Sequence, residues 1–120
     1  EAAARTLADL PGTRRKVLIL GDMRELGDDS DALHEQTGRR IAEFGLDLLI
    51  GVGLLGRYIA EGAASAGMAS VGFDLPELAG KELPDLLQPG DLILIKGSRA
   101  MRMERLLESI REAFEPKSHT

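Results

Sequence analysis

The sequence predicts an α/β fold, a mostly parallel sheet with helices on both faces. Two observations predict it. Residues 16–20, 47–52 and 91–96 are apolar almost throughout, with a less uniform run at 70–73. Apolarity that is continuous rather than alternating marks strands buried on both faces. Segments with helical spacing separate these runs, and regular strand–helix alternation is satisfied by parallel strands joined through crossover helices.

The chain opens on an Ala-rich helix, residues 1–10, with no cap and no strand before it. A helix of this architecture normally follows a strand, so the expectation is an N-terminally truncated sheet cut from a longer protein. Strand 16–20 leads to a helix in which Leu33, Thr37, Ile41 and Phe44 share one face. Ser30 is its expected N-cap, and Asp31 suits the positive end of the helix dipole. After strand 47–52, Leu55, Ile59 and Ala63 mark a helix ending near Gly67. Strand 70–73 precedes a weaker helical segment, 75–87, which Gly80 and Pro84 are expected to shorten or break. Residues 88–91, Gln-Pro-Gly-Asp, form a turn into strand 91–96. The last helix, 99–114, should bury Met103, Leu106, Leu107, Ile110 and Phe114. One domain over 1–115 and a frayed tail at 116–120 complete the reading.

Composition narrows the function. With 120 residues, 43% apolar and 29% charged, the chain has the balance of one soluble globular domain. Aromatics are 3% with no Trp, so the core must be aliphatic. Fifteen Lys+Arg against twenty Asp+Glu give a net charge of −5, which is no footprint for nucleic acid or an anionic membrane. No apolar stretch approaches the ~20 residues of a membrane span, and no signal segment is present. The absence of Cys excludes disulfides and thiol chemistry, and two His argue against a structural zinc site. A cytoplasmic location fits.

Ligands of open α/β sheets bind beyond the carboxyl ends of the strands, so four loops matter: 21–29, 51–54, 74–76 and 96–100. Gly51, Gly53 and Gly56 match the G-x-G-x-x-G fingerprint, with Asp74 18 residues beyond Gly56. That reads either as an NAD or nucleotide site or as a tight strand-to-helix turn, and it stands on the second strand, where the dinucleotide fold uses its first. The first loop carries Asp22, Glu25, Asp28, Asp29 and Asp31, either oxygen ligands for Mg²⁺ or a solvated acidic turn. Asp22, directly after Gly21, is placed to face a ligand. His34, one turn into the helix, either points at the crevice or packs on the surface. The fourth loop is the strongest. Lys96 ends a strand, Gly97 permits close approach, and Ser98 and Arg99 open a helix whose free N–H groups attract anions. Together they suit a carboxylate or phosphate. The bland alternative makes Ser98 a cap and leaves Lys96 and Arg99 solvated. No P-loop, G-x-S-x-G or H-E-x-x-H motif occurs, so the chain contains no complete catalytic machine.

Leu-Gly-Asp-Met-Arg-Glu-Leu-Gly at 20–27, His34 with Gly38, and Lys-Gly-Ser-Arg-Ala-Met-Arg-Met-Glu at 96–104 resemble the C-terminal domain of the Mur ligases, in the branch that adds D-alanyl-D-alanine to UDP-N-acetylmuramoyl-tripeptide for peptidoglycan. The resemblance runs from residue 1 to about 113. Residues 1–10 look like the Ala-rich helix that follows an Asn-Ala-Asn-Pro loop in the family. The resemblance implies a Rossmann-like domain of a three-domain enzyme. The first domain binds the UDP-sugar peptide, and the central one carries the P-loop and mainly holds ATP and Mg²⁺. The reaction activates the peptide carboxylate as an acyl phosphate, which the D-Ala-D-Ala amino group attacks. This third domain closes over the site, with Lys96, Ser98 and Arg99 near the incoming substrate's carboxylate and Asp22 and His34 on the loop and helix that face the central domain. Two other readings remain: a stand-alone nucleotide or NAD module using residues 51–56, and a structural fragment without ligand affinity of its own.

Overall fold

A computed structural model describes residues 2–12, 14–21, 30–97, 106 and 108–111, with the backbone alone at 30–33 and 55. Strand β1 (Lys16–Gly21) lies inside the sheet, paired in parallel with β2 (Leu48–Val52) on one side and β4 (Leu92–Lys96) on the other. Strand β3 (Ser70–Phe73) extends the sheet beyond β2, giving the order β3-β2-β1-β4. Helices α1 (Ala2–Asp9), α2 (Ser30–Ile41), α3 (Leu54–Ser65) and α4 (Pro76–Leu86) cover it.

Side chains alternate across a strand, so β1 feeds two cores. Val17 and Ile19 join Leu48, Ile50 and Val52 against Ala79 and Leu83 of α4 and against Leu106, which is helical. Leu18 and Leu20 join Leu49 on the opposite face, against Ala4 and Leu7 of α1, Ile41 of α2, and Ile59 and Ala63 of α3. Both cores are aliphatic apart from partly buried Phe44 and Phe73. Complete burial holds for β2 and for β1 beyond Lys16; β3 and β4 are half-buried because they are the outer strands.

Of the expected face of α2, Ile41 is buried and Thr37 and Phe44 are half-buried; His34 and Gly38, which that face did not include, are buried as well. Gly38 explains the difference. A Cβ there would strike the backbone of Ile59 and Ala63, and one at Gly62 would strike the backbone of Glu35. The α2 and α3 backbones therefore meet through two glycines, which a count of apolar side chains does not register.

Helix α4 is continuous over 11 residues, contrary to the expected break. Pro76 stands in the first turn, where its missing N–H is no loss. Pro84 falls near the other end, and the burial of Ala79 and Leu83 outweighs its cost. Gly80 lies against Ser109, where a Cβ would come within 3.0 Å of its hydroxyl. The 88–91 turn forms as expected, with Gly90 at φ 90° and Asp91 N–H donating to the Gln88 carbonyl at 3.1 Å. The expected tail and most of the last helix lie outside the described residues.

Charges at the amino edge of the sheet fasten loops. The Asp91 carboxylate, 3% exposed, accepts from Arg15 Nε at 3.2 Å and from Gln88 N–H at 2.9 Å. Arg15 also donates to the Leu86 carbonyl. Lys16 Nζ caps α1 through the Ala8 and Leu10 carbonyls at 2.7 and 2.8 Å. Lys16 N–H donates to Asp47 at 2.7 Å.

Gly38→Ala and Gly62→Ala separate two effects of opposite sign. Helix propensity alone predicts a gain of up to ~1 kcal/mol. Backbone overlap predicts a loss of about 1–3 kcal/mol for each. Urea titration should show the loss; a neutral or stabilised variant contradicts this account of the α2–α3 contact.

Candidate functional site at the carboxyl edge

The chain leaves β1 and β4 toward opposite faces. After β1 it reaches α2, whose Ile41 packs in one core; after β4 it reaches Leu106, which packs in the other. Where neighbouring parallel strands diverge in this way, a crevice opens between their carboxyl ends. The register sets Leu20 beside Lys96, so Gly21 and Gly97 leave the sheet next to one another. The two loops singled out from sequence therefore start on either side of this switch point.

Lys96 is exposed at the carboxyl end of β4. It ends a half-buried outer strand, not the fully buried one expected. Asp22, Ser98 and Arg99 lie outside the described residues, as does most of the acidic loop considered for Mg²⁺. His34 is fully buried in α2, so packing on the surface is excluded and solvent does not reach it. Among the described residues no group of three or more His, Asp or Glu could hold a metal ion.

The G-x-G-x-x-G segment has a packing reason for each glycine. A Cβ on Gly51 would strike the Gly56 backbone, and one on Gly56 would lie 3.1 Å from the Leu20 carbonyl oxygen. Gly53 takes φ 91° as it enters α3, and its N–H donates to the Phe73 carbonyl at 2.7 Å. The segment thus follows β2, one strand from the switch point. Asp74, the fingerprint's acidic residue, accepts from Arg57 Nη1 at 2.6 Å. That hydrogen bond, followed by the carboxylate's charge, raises the Arg57 guanidinium above its ordinary value. The pair escaped the sequence reading. It follows once β2 and β3 are neighbours, because the first turn of α3 then lies beside the end of β3. A groove of about 240 Å³ between α3 and β3, lined in part by Arg57, Glu61 and Ser70, sits on the far flank of the sheet. Ser70 Oγ there donates to the Ala60 carbonyl at 2.7 Å, so its hydroxyl is already engaged.

Residues 1–99 match the model of the Mur ligase, glutamate ligase domain. The chain is 36% identical, over 94% of its length, to the UDP-N-acetylmuramoyl-tripeptide--D-alanyl-D-alanine ligase of Bacillus subtilis (strain 168), of which it covers 25%. It resembles crystal structure II of MurF from Acinetobacter baumannii with a TM-score of 0.79 at 36% identity, covering 92% of this chain and 25% of that one. It also resembles MurF ligase from Thermotoga maritima in complex with ADP, TM-score 0.70 at 28% identity, covering 97% and 26%. The chain thus spans about a quarter of the length of these relatives.

Residues 51–56 should bind no NAD. A ligand at ~100-fold excess over its Kd stabilises a fold by about 2.7 kcal/mol, a shift of several degrees in a domain this size. Thermal melts with millimolar NAD are expected to coincide with melts without it. An upward shift abolished by Gly53→Val would contradict the packing account of these glycines.

Proposed function

The chain belongs to the Mur ligase family, and on that premise we propose that it is the C-terminal, substrate-closing domain of an ATP-dependent ligase that adds D-alanyl-D-alanine to UDP-N-acetylmuramoyl-tripeptide. The observation that carries this reading is Lys96, exposed at the β1/β4 switch point and paired in register with Leu20. An ammonium there is suited to the carboxylate of the incoming dipeptide. A charge-assisted contact at one end of a short substrate directs its amino group toward the reacting carbonyl. In this reading Ser98 and Arg99 add donors beside Lys96, and Asp22 faces them from the loop after β1. Buried His34 acts as a positioning group.

The chain has no P-loop, and its described residues offer no metal cluster. We assign ATP and Mg²⁺ mainly to the nucleotide-binding portion of the full enzyme. That portion and the part that binds the UDP-linked tripeptide are the domain's proposed partners. No helix of the described residues is long and apolar enough to cross a membrane. We place the reaction in the cytoplasm, where its nucleotide-linked substrates are found.

Two outcomes test the reading. The chain by itself should release no ADP from ATP above buffer background with Mg²⁺ and all substrates present, since phosphoryl transfer needs positioned cations and donors it lacks; measurable turnover would contradict the assignment. In the full ligase, Lys96→Ala should lower kcat/KM for D-Ala-D-Ala by roughly 30- to 4000-fold, corresponding to the ~2–5 kcal/mol of a lost charge-assisted contact. Its melting temperature should hold, because the side chain is exposed. Near-normal kcat/KM in this variant would move the dipeptide site away from β4.

A further inference from the structure

Among the described residues four large apolar side chains stand exposed: Leu10, Leu54, Leu75 and Leu78. A single exposed leucine is ordinary, but three of these four fall where β2 leads into α3 and β3 leads into α4. Leu54 opens α3, one residue beyond Gly53, whose N–H is bonded to the Phe73 carbonyl. Leu75 stands two residues beyond Phe73, and Leu78 N–H donates to the Leu75 carbonyl at 3.1 Å. The Gly53–Phe73 bond therefore ties the leucine-bearing connections together at the carboxyl ends of β2 and β3.

Local stability does not account for them. Leu54 and Leu75 are 56% and 52% exposed. Leu75 occupies the N-cap of α4 without a side-chain hydrogen bond, a position where Ser, Thr, Asp or Asn serves the helix better. The charge between Phe73 and Leu75 is muted, because Asp74 is paired with Arg57. Strands lie about 5 Å apart, so β2 and β3, which lead into these leucines, lie about 5 to 10 Å from β1 in the sheet.

We infer that Leu54, Leu75 and Leu78 form the apolar contact through which this domain seats against the nucleotide-binding portion of the same ligase. The inference rests on the proposed function. The chain spans about a quarter of its relatives and has no P-loop, and the Thermotoga maritima relative is seen with ADP. For an amino substrate held at the crevice to meet a group activated by ATP, the nucleotide-binding portion must approach the carboxyl edge. The surface next to the crevice is then covered. Exposed leucines beside an Asp74 already paired with Arg57 suit a contact that forms and releases in each cycle, because apolar area is buried there and the neighbouring carboxylate is already partnered.

The test uses the full ligase as wild type, as the Leu54→Asp/Leu75→Asp double variant, and as Leu10→Asp. Leu10 is also exposed, but it follows α1 at the opposite edge of the sheet. Small-angle scattering is recorded without ligand and with a non-hydrolysable ATP analogue plus the UDP-linked tripeptide. Wild type and Leu10→Asp should become more compact on adding ligand. The double variant should not, and its kcat/KM should fall about tenfold or more at an unchanged melting temperature. Compaction of the double variant like wild type, or none in wild type, overturns the inference. So does a wild-type dimer in sedimentation that the double substitution dissolves, because a second copy would then cover the leucines. Failure of the functional reading looks different: wild type compacts and the double variant does not, yet neither joins D-Ala-D-Ala. That result refutes the substrate assignment and supports the surface.

Discussion

The site depends on the handedness of the crossovers. A parallel strand–helix–strand unit winds right-handed. Two successive units, β1-α2-β2 and β2-α3-β3, advance in one direction, so α2 and α3 share a face. Helix α4 then carries the chain back past β2 and β1 to β4, which puts α4 on the other face. The reversal occurs at β1 and β4. Their carboxyl ends part there and leave a crevice no other pair of these strands has. Lys96 becomes a candidate ligand because β4 is the strand on the far side of that reversal.

Something must also hold the register. β1 is apolar on both faces, so a slip by one residue would exchange one aliphatic set for another. Hydrophobic patterning alone specifies its pairing weakly. Polar contacts at the amino edge supply the missing information: Lys16 N–H on Asp47, Leu92 N–H on the Arg15 carbonyl, and Arg15 on the buried Asp91 carboxylate. At the other edge, the approach of Gly56 to Gly51 and Leu20 admits one alignment of α3 over β1 and β2. The charged residues at the amino edge are thus engaged in alignment, whereas Lys96 at the carboxyl edge stands exposed.

The strands were legible because runs of Val, Leu and Ile at 16–20, 47–52 and 91–96 admit few alternatives. The strand order was not legible, since nothing local in β4 says that it pairs with β1. Helix α4 was misread because Gly80 and Pro84 weigh on propensity, while the burial of Ala79 and Leu83 that outweighs them is tertiary. The buried face of α2 was read only in part, for a related reason: Ile41 was expected there, but His34 and Gly38 were not. Gly38 has no side chain to count, yet it faces the backbone of α3, and it carries His34 inward with it. The G-x-G-x-x-G spacing reported backbone contact between strand and helix. That spacing arises wherever a helix lies this close to a sheet, with or without a ligand. At the site itself, Lys96 was legible as a strand-end cation, whereas Arg57 with Asp74 and the exposed leucines depend on which strands are neighbours.

The central claim is that amino-substrate recognition occurs where β1 and β4 part. Amide hydrogen exchange on the full ligase, with and without D-Ala-D-Ala in the presence of an ATP analogue and the UDP-linked tripeptide, addresses it segment by segment. The account predicts that the dipeptide slows exchange in residues 20–29 and 96–102 and leaves 51–57 unchanged. Slowing confined to 51–57, with the ends of β1 and β4 unaffected, would contradict it.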